Sequence, residues 1–451
     1  MEAVVQNLRL DTAFSSLKKL ASDLSESVPV KGILQKLNQL SLPRFDWPSF
    51  RIGDLTARIP VVQGGMGVGI SLSGLASAVA NEGGIGIIAA NAIGMLEPDY
   101  FKDGRAANLR ALRREIRSAR EKSDGILGVN IMVAVNDFHE LLDVAIEEKV
   151  DLVFMGAGLP IKNIPVEKMR AAGVKAVPII SSARAAEMIF KMWKKIYNDV
   201  PDALVFEGPK AGGHLGFSEE QIDDPAFQLE SIVPQVVEAV RPYEKEFQRR
   251  IPVIAGGGIF TGEDIHGALE LGASAVQMGT RFVATHECDA DAAFKEAYVQ
   301  CSAEDIGLIQ SPVGMPGRAI RNSFIEDSEA GRRPSFKCAW QCLASCKAEK
   351  ARYCISIALN NARRGKLNQG FVFAGSNAYR VEKILSVAAL MGELAEGFRQ
   401  TARSKVAGRI EAAVAEIQDL RAQYESMRLQ FQDFQTAIMD RFSQVLPLIR
   451  A

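Results

Sequence analysis

The sequence predicts an α/β fold, a (β/α)8 TIM barrel with a C-terminal helical subdomain and helical extensions at both termini. Eight short apolar runs recur every two to four dozen residues, with amphipathic stretches between them. Continuous apolar strands separated by helices are typical of parallel strands buried on both faces. Glycine or small polar residues follow nearly every run, as at a ligand-binding barrel face. Eight units favour a closed barrel; an open doubly wound sheet is the alternative.

The predicted strands occupy the middle of the chain and alternate with helical patterns such as Leu72–Asn81, Val133–Lys149 and Ala183–Lys195. The eight strands are Pro60–Gln63, Gly84–Ala90, Gly125–Met132, Leu152–Gly156, Lys175–Ile180, Ala203–Gly208, Pro252–Gly256 and Ala275–Gly279.

The bulk composition is that of an ordinary globular protein, with 47% hydrophobic and 24% charged residues in 451. A net charge of −1 gives no support for binding to nucleic acid or a membrane surface. The first residues lack a basic segment followed by an apolar core, and no apolar run approaches the roughly 18 residues of a membrane span. Six cysteines do not make a disulfide scaffold, so we expect a cytoplasmic protein.

His214 stands behind Gly212 and Gly213, just after the sixth predicted strand. Glycines let the backbone approach a ligand closely, and histidine exchanges protons near neutral pH. The other three histidines, His139, His266 and His286, lie in segments with helical patterns, where a surface or core role is expected. The position of His214 predicts an active-site loop.

Glycine loops follow the seventh and eighth strands, in the stretches Ile254–Ile259 and Val276–Arg281. TIM barrels often bind a phosphate at these two loops, through backbone N–H groups and a helix start. The alternative is that these glycines only make tight turns between strand and helix.

The predicted organisation has four segments: a helical extension (1–50), a ligand-binding barrel (51–330), a helical and loop subdomain over the barrel mouth (331–400) and a long amphipathic helix (401–451). The N-terminal apolar residues, Phe14, Leu17, Leu20, Leu24, Ile33, Leu34, Leu37 and Leu40, have a break at Pro29. In the C-terminal helix the heptad positions are Ile410, Ile417, Tyr424, Phe431, Ile438 and Val445, with Ala413, Leu420, Met427 and Phe434. These positions form a narrow apolar seam along one side of the helix. The seam predicts either packing on the N-terminal helices or a homo-oligomer contact.

Six motifs in a fixed order resemble the nitronate monooxygenase (2-nitropropane dioxygenase) family, which includes FMN-dependent enoyl-acyl-carrier-protein reductases. The resemblance runs from about residue 52 to 395 and implies a TIM barrel with non-covalent FMN. The motifs are Arg58-Ile-Pro-Val-Val-Gln-Gly-Gly-Met66, Glu82-Gly-Gly-Ile-Gly-Ile87, Gly128-Val-Asn-Ile-Met132, Glu207-Gly-Pro-Lys-Ala-Gly-Gly-His-Leu-Gly216, Pro252-Val-Ile-Ala-Gly-Gly-Gly258 and Gly272-Ala-Ser-Ala-Val-Gln-Met-Gly-Thr-Arg-Phe282.

The resemblance implies a role for each matching position. His214 matches the family's catalytic base or acid, and the stretch 353–380 resembles the part that packs over the barrel mouth. Lys210 and Gly213 are assigned to the same site. For Lys210, the alternative is a solvated position on the loop with no role in the site. The residues expected to contact the flavin are Gly64, Gly65, Met66 and Asn91; those expected to hold its phosphate and ribityl chain are Ala255, Gly256, Gly257, Gly258, Gln277, Met278, Gly279 and Thr280.

Three functions fit these motifs and a small-molecule substrate. The first is oxidation of alkyl nitronates with dioxygen, and the second is NAD(P)H-dependent enoyl-thioester reduction; His214 suits both. The third is a non-catalytic flavin-binding or assembly protein. The sequence has no separate Gly-x-Gly-x-x-Gly unit for NAD(P)H, which is weak evidence since family members do without one. An IMP-dehydrogenase-like barrel needs a nucleophilic cysteine in a mid-barrel loop. That class is excluded because no cysteine precedes Cys288.

Four cysteines, Cys338, Cys342, Cys346 and Cys354, fall within seventeen residues. Four thiolates are able to ligate zinc or an iron–sulfur cluster. The spacing matches no established motif, and the first three share a helix face where cysteine is an ordinary buried residue. Both interpretations stay open at this point.

Overall fold

The computed structural model describes residues 9, 11–13, 15–20, 45–333, 336, 338, 340–344 and 346–449. Residues 9, 11–13 and 15–20 are helical, in agreement with a helical start of the chain. The apolar positions Phe14, Leu24, Ile33, Leu34, Leu37 and Leu40, and the break at Pro29, lie outside the described residues.

The eight predicted strands form a closed parallel barrel, so the predicted fold class is confirmed. Closure is made by the last and first barrel strands, where Val276 pairs with Val61 and Met278 with Gln63. An open sheet has no such pairing, and that alternative is wrong. Numbered along the chain, the strands are β1 (Phe50–Ile52), β2 (Leu55–Ala57), β3 (Val61–Gln63), β4 (Ile85–Ala89), β5 (Ile126–Met132), β6 (Leu152–Gly156), β7 (Lys175–Ile180), β8 (Leu204–Glu207), β9 (Gly213–His214), β10 (Val253–Gly256), β11 (Ala275–Met278), β12 (Ile306–Gln310), β13 (Pro316–Ile320) and β14 (Val372–Phe373), of which β3–β8, β10 and β11 form the barrel.

Amphipathic helices cover the barrel. The fifth is representative: Ser182 caps its start by accepting from the Ala185 N–H, and Ile189, Phe190 and Trp193 are buried along one stripe. It ends at Asn198, whose left-handed backbone stops the helix. The helices are α1 (Ser73–Asn81), α2 (Gly104–Lys122), α3 (Phe138–Glu147), α4 (Val166–Ala172), α5 (Ala183–Tyr197), α6 (Glu219–Ile222), α7 (Leu229–Phe247), α8 (Gly262–Glu270), α9 (Thr280–Val283), α10 (Ala292–Gln300), α11 (Ser323–Glu329), α12 (Ile355–Arg363) and α13 (Val387–Ile449).

The barrel interior is filled with apolar side chains, including Ile87, Phe154 and Val205. The β1–β2 hairpin packs Phe50 and Ile52 against this interior cluster. Asp54 of the hairpin pairs with Lys175 at the start of β7, 2.7 Å apart, so the hairpin closes the amino-terminal end of the barrel. A ligand site is therefore left to the opposite, carboxyl-terminal end.

A second, antiparallel sheet is built at that carboxyl-terminal end. Strands β12, β13 and β14 pair in order, and β9 pairs with β13. Because β9 follows the sixth barrel strand and β14 lies far along the chain, this sheet ties a barrel loop to the segment after residue 300. It decides where the loop of His214 lies.

The residues group into two compact units. One spans Trp47–Phe398; the other holds the described residues before Trp47 and those from Arg399 onward. Helix α13 begins at Val387, fourteen residues before the predicted start at residue 401. The four-segment division from the sequence stays a prediction. In the part of the chain that the structure describes, no helix has the length and apolar character needed to cross a membrane.

Candidate active site

His214 is held at the carboxyl-terminal end of the barrel by the pairing of β9 with β13. Gly317 lies opposite His214 in this pairing, and Arg318 lies opposite Gly213. Gly213 has a φ of +85°, a conformation that side-chain-bearing residues rarely adopt. The glycine before His214 is thus a requirement of the turn that presents the imidazole.

The imidazole of His214 makes one short polar contact. Its Nε2 lies 2.7 Å from the Ser311 Oγ, and the Phe373 ring meets it edge-on at a centroid distance of 5.1 Å. Burial lowers the pKa of His214 to about 4. At neutral pH the ring is therefore neutral, with one nitrogen free of a proton. It is able to accept a hydrogen bond or, as a weaker base than a solvated histidine, a proton.

Arg318 fixes the loop that leads to His214. Its guanidinium is buried, and Nη1 donates to the carbonyls of Pro209 at 2.5 Å and Ala211 at 2.8 Å. Gly212 packs so tightly on residues 374–375 that an added Cβ would lie 2.5 Å from the Ala374 carbonyl carbon. Sequence reasoning missed Arg318, because an arginine in a β-rich stretch carries no local signal of its partners.

Glu207 is the last residue of β8 and is paired in register with Gly256 of β10. Burial raises the pKa of its carboxyl group to about 7. Perturbed carboxyl groups at the carboxyl end of a barrel are candidates for proton transfer. The sequence placed Glu207 at a strand end but assigned it no role, since the pKa depends on burial.

The loop after β10 is built from glycines that a larger residue would disrupt. Gly257 and Gly258 have φ values of +95° and +87°. A Cβ on Gly257 would lie 2.7 Å from the Gly208 carbonyl oxygen, and one on Gly258 would lie 3.0 Å from the Lys210 Cβ. Asn377 Nδ2 donates to the Gly258 carbonyl at 2.6 Å. The loops after β8 and β10 are thus brought together.

The start of α9 and the segment 375–377 lie against the loops after β8 and β10. We call these four segments together the cradle. Gly375 N–H donates to Thr280 Oγ1 at 3.2 Å, and Ser376 N–H donates to the Lys210 carbonyl at 3.1 Å. The Ser376 hydroxyl is buried and has no hydrogen-bond partner among the described residues. An orphaned hydroxyl beside two glycine loops suits an anionic group such as a phosphate, so the residues present fit FMN. Ser376 had no signal in the sequence.

The loop after β3 lies beside the end of the eighth barrel strand, β11. Gly64 N–H donates to the Met278 carbonyl at 2.8 Å, and Met66 N–H donates to Ser71 Oγ at 2.9 Å. A Cβ on Gly65 would lie 2.4 Å from the Asn130 Cβ. The loop after the first barrel strand therefore meets the third and eighth barrel strands here.

The predicted site residues thus lie at the carboxyl-terminal ends of the barrel strands or in the segments that follow them. Asn91 lies beside the segment that follows β3, because its carbonyl accepts a hydrogen bond from Val68 N–H at 2.8 Å. Ala255 and Met278 differ, since their side chains are buried in the core outside the barrel interior. Only their backbone groups are available to a ligand. The assignment of Gly64, Gly65, Met66, Asn91, Lys210, Gly213, Ala255, Gly256, Gly257, Gly258, Gln277, Met278, Gly279 and Thr280 to cofactor binding stays a prediction.

The four clustered cysteines lie in the connection between α11 and α12, and all four line one cavity of about 480 Å³. Each is a free thiol. Within the described ranges, no group of three or more His, Cys, Asp or Glu side chains is arranged to hold a single metal ion.

Comparison with known proteins agrees with this barrel and its glycine loops. The nitronate monooxygenase family model matches residues 49–397, and the chain belongs to that family. A solved structure described as FabK from Thermotoga maritima is 30% identical, with a TM-score of 0.61, over 78% of this chain and 96% of that one. The resemblance inferred from the motifs is confirmed.

Two curated relatives indicate the range of the family. One, from Mycobacterium tuberculosis, is named (3aS,4S,5R,7aS)-5-hydroxy-7a-methyl-1-oxo-octahydro-1H-indene-4-carboxyl-CoA dehydrogenase. It is 30% identical over 274 residues, which are 61% of this chain and 66% of the relative. A probable nitronate monooxygenase of Staphylococcus saprophyticus is 28% identical over 60% of this chain and 78% of its own length. The chain therefore spans slightly less than two thirds of the dehydrogenase.

Proposed function

We propose that this protein is an FMN-dependent oxidoreductase. Family membership, the cradle with its glycine loops and the orphaned Ser376 hydroxyl support FMN as the cofactor. FMN, when bound, supplies two-electron chemistry at its ring N5, while the protein positions the substrate and manages protons. Gly257, Gly258 and Ser376 would hold the phosphate, and Gly64 to Met66 would lie along the flavin.

The substrate that the geometry favours is an alkyl nitronate or its nitroalkane. The observation that carries this is His214, half-buried, held by Ser311 and neutral at physiological pH. A neutral imidazole accepts the α-proton of a nitroalkane, or hydrogen-bonds the nitro oxygens of a nitronate. FMN, when bound, would supply the acceptor for two electrons of the substrate, with dioxygen as the final oxidant.

Anaerobic flavin reduction tests the proposal. Purified protein is mixed without oxygen with propionate 3-nitronate, or with NADH or NADPH, and the flavin absorbance is followed. We expect a yellow protein that bleaches with nitronate alone. A colourless protein that takes up no FMN would overturn the whole proposal, and bleaching only by a nicotinamide would overturn the nitronate assignment.

Reduction of an enoyl thioester is the second candidate. The relative from Mycobacterium tuberculosis carries a CoA thioester in its substrate name, which favours a thioester here as well. Hydride would go to the β-carbon and a proton to the α-carbon, with NAD(P)H as the source of electrons. Neutral His214 is a poor acid, whereas Glu207, with its pKa near 7, is able to donate that proton.

A crotonyl thioester separates the two candidates. Under the nitronate assignment, NADPH consumption in its presence stays at the background rate. Under the thioester assignment, consumption matches formation of the saturated product and falls in Glu207→Gln, while Glu220→Gln, an exposed carboxyl on α6, serves as the matched control.

A further inference from the structure

The connection between α11 and α12 is unusual for a compact domain. It runs from Ala330 to Cys354, and its described residues form no helix and no strand beyond one isolated bridge. Long irregular connections in compact domains usually carry a function. Four of the six cysteines of the chain lie in this connection.

The connection is tied to the barrel beside its carboxyl-terminal end. Leu343 forms its bridge with Val135, just past β5. Asn136 N–H donates to the Cys342 carbonyl at 3.0 Å, and Ala344 N–H donates to the Ala134 carbonyl at 3.0 Å. The backbone at Cys342 is thus held in place on both sides of Leu343.

Two of the four thiols have a polar contact with a group that is not a cysteine. Cys342 Sγ lies 3.8 Å from Ser356 Oγ, and Cys338 Sγ donates to the Trp340 carbonyl at 3.2 Å. All four cysteines line the same cavity of about 480 Å³.

We propose that Cys338, Cys342, Cys346 and Cys354 ligate an iron–sulfur cluster. A zinc ion needs four sulfurs converging at about 2.3 Å, and the described residues hold no such group. A cluster of four irons receives one thiolate on each iron, so its four sulfurs lie around a larger body than a single ion, and these four cysteines line one cavity. Each thiol loses its proton as its Fe–S bond forms, and the metal charge offsets the cost of burying the thiolate.

The cavity adjoins the support of His214. Pro312 and Val313 line it, and Ser311, the next residue along the chain, holds the imidazole at 2.7 Å. Val313 N–H also lies 3.4 Å from Ser311 Oγ. A cluster here would fix the loop that carries Ser311 and so act as a structural support of the active-site end.

Metal content tests this inference independently of turnover. Protein is purified without oxygen, and iron, acid-labile sulfide, zinc and FMN are measured per chain. We expect about four irons and four sulfides. One zinc per chain without sulfide would overturn the cluster, as would protein that holds FMN but no iron or sulfide, even after reconstitution with iron and sulfide.

Serine variants at two of the proposed ligands, with a third as the control, test the assignment. Cys342→Ser should lose most of the iron, while Cys301→Ser, at a buried cysteine outside the connection, keeps it. Where Cys342→Ser does not accumulate, the less buried Cys346 is replaced instead. Equal iron in the Cys346→Ser and Cys301→Ser proteins would contradict the assignment.

A separate observation concerns the C-terminal part of α13. The large apolar side chains from Leu420 to Ile438 are exposed, among them Met427 at 61%, Phe431 at 61% and Phe434 at 62%. Earlier in the same helix, Val406 and Ile410 pack with Ala407 and Ala13. Among the described residues, the apolar cover of the helix therefore ends near Val414.

We infer that a second copy of this chain covers the exposed seam, as a parallel two-stranded coiled coil. The seam follows positions a and d of a heptad repeat, from Leu420 through Tyr424, Met427 and Phe431. In a parallel pair, Glu416 at position g faces the Arg421 at position e of the second copy, and the symmetry makes this contact twice. An antiparallel pair would set e positions, which hold Arg421 and Arg428, against each other.

Light scattering on the full chain tests this. We expect a dimer at micromolar concentration that becomes a monomer in Phe431→Glu. Leu429→Glu is the matched control, because Leu429 is also exposed on this helix, at 56%, but lies off the seam. A monomeric parent protein, or a dimer unaffected by Phe431→Glu, would overturn the inference; so would failure of Leu420→Cys to cross-link the two copies on oxidation.

Discussion

Two titratable residues at one end of the barrel have their pKa values moved in opposite directions. Burial lowers the pKa of His214 to about 4 and raises that of Glu207 to about 7. Desolvation disfavours the charged form of each, so the imidazole is kept unprotonated and the carboxyl group is kept partly protonated. Such a pair offers a base and an acid at the same pH.

His214→Ala should keep FMN and lose activity. Removal of a positioned base costs about 10²–10⁴-fold in rate. In the parent protein, kcat/KM should rise with pH through about 4 as His214 loses its proton, and this limb should be absent in the variant. Flavin content and pH profiles measure both effects; unchanged kinetics would remove His214 from the mechanism.

Glu207→Gln should stabilise the protein at alkaline pH. The pKa of Glu207 is raised from 4.5 to about 7 in the folded state, so the unfolded chain loses its proton first as pH rises. The stability that the protonated carboxyl contributes is thus complete below pH 4.5 and lost as pH rises to 7. By pH 8 this loss amounts to about 3 kcal/mol.

Thermal unfolding at pH 4.5 and pH 8 checks the expected difference. The variant should match the parent protein at pH 4.5 and unfold at a higher temperature at pH 8. A variant that is equally or less stable at pH 8 would show that Glu207 is not a buried carboxyl with a raised pKa.

At the scale of elements, glycine loops shape the candidate cofactor site. The loop after β10 passes so close to the loop after β8 that Gly257 leaves no room for a methyl group. The short β9–β13 pairing has a comparable effect, since it sets the direction of His214. Both depend on backbone approach, which is a property of two segments and not of one.

Gly257→Ala should weaken FMN binding by at least tenfold. The φ of +95° strains an alanine, and its Cβ would lie 2.7 Å from the Gly208 carbonyl. The control is Gly267→Ala in α8, where no described atom lies within 4 Å of the added Cβ and helix propensity favours alanine by about 1 kcal/mol. Fluorescence titration of apoprotein with FMN measures both; equal affinities would contradict a role of this loop.

At the scale of the whole molecule, the family match and the compact units divide the chain in nearly the same way. The family model ends at residue 397, and the larger unit ends at Phe398. Helix α13 continues beyond both, to Ile449. The residues of the candidate active site all lie within the larger unit.

A chain that ends at Gln418 should therefore keep FMN and turnover within about twofold, since it retains the packing of Val406 and Ile410 with Ala13. It lacks the exposed seam and should be monomeric. Flavin content, activity and light scattering check this. Loss of FMN from the shortened protein would show that the residues after Gln418 are needed for FMN binding.

The sequence by itself determined the barrel, its eight strands and the positions of its glycine loops. These features are local: an apolar run marks a buried strand, and a glycine marks a turn with positive φ. The family followed from the same motifs. For the four clustered cysteines, the sequence showed only their spacing and left both interpretations open.

The tertiary structure alone decided which distant groups meet His214. Ser311 is 97 residues away along the chain, and Arg318 contacts a carbonyl 109 residues before it. The pKa values of His214 and Glu207 likewise arise only when packing removes water from them. Non-local pairing and burial depend on how separate segments come together, and no local pattern in the chain encodes them.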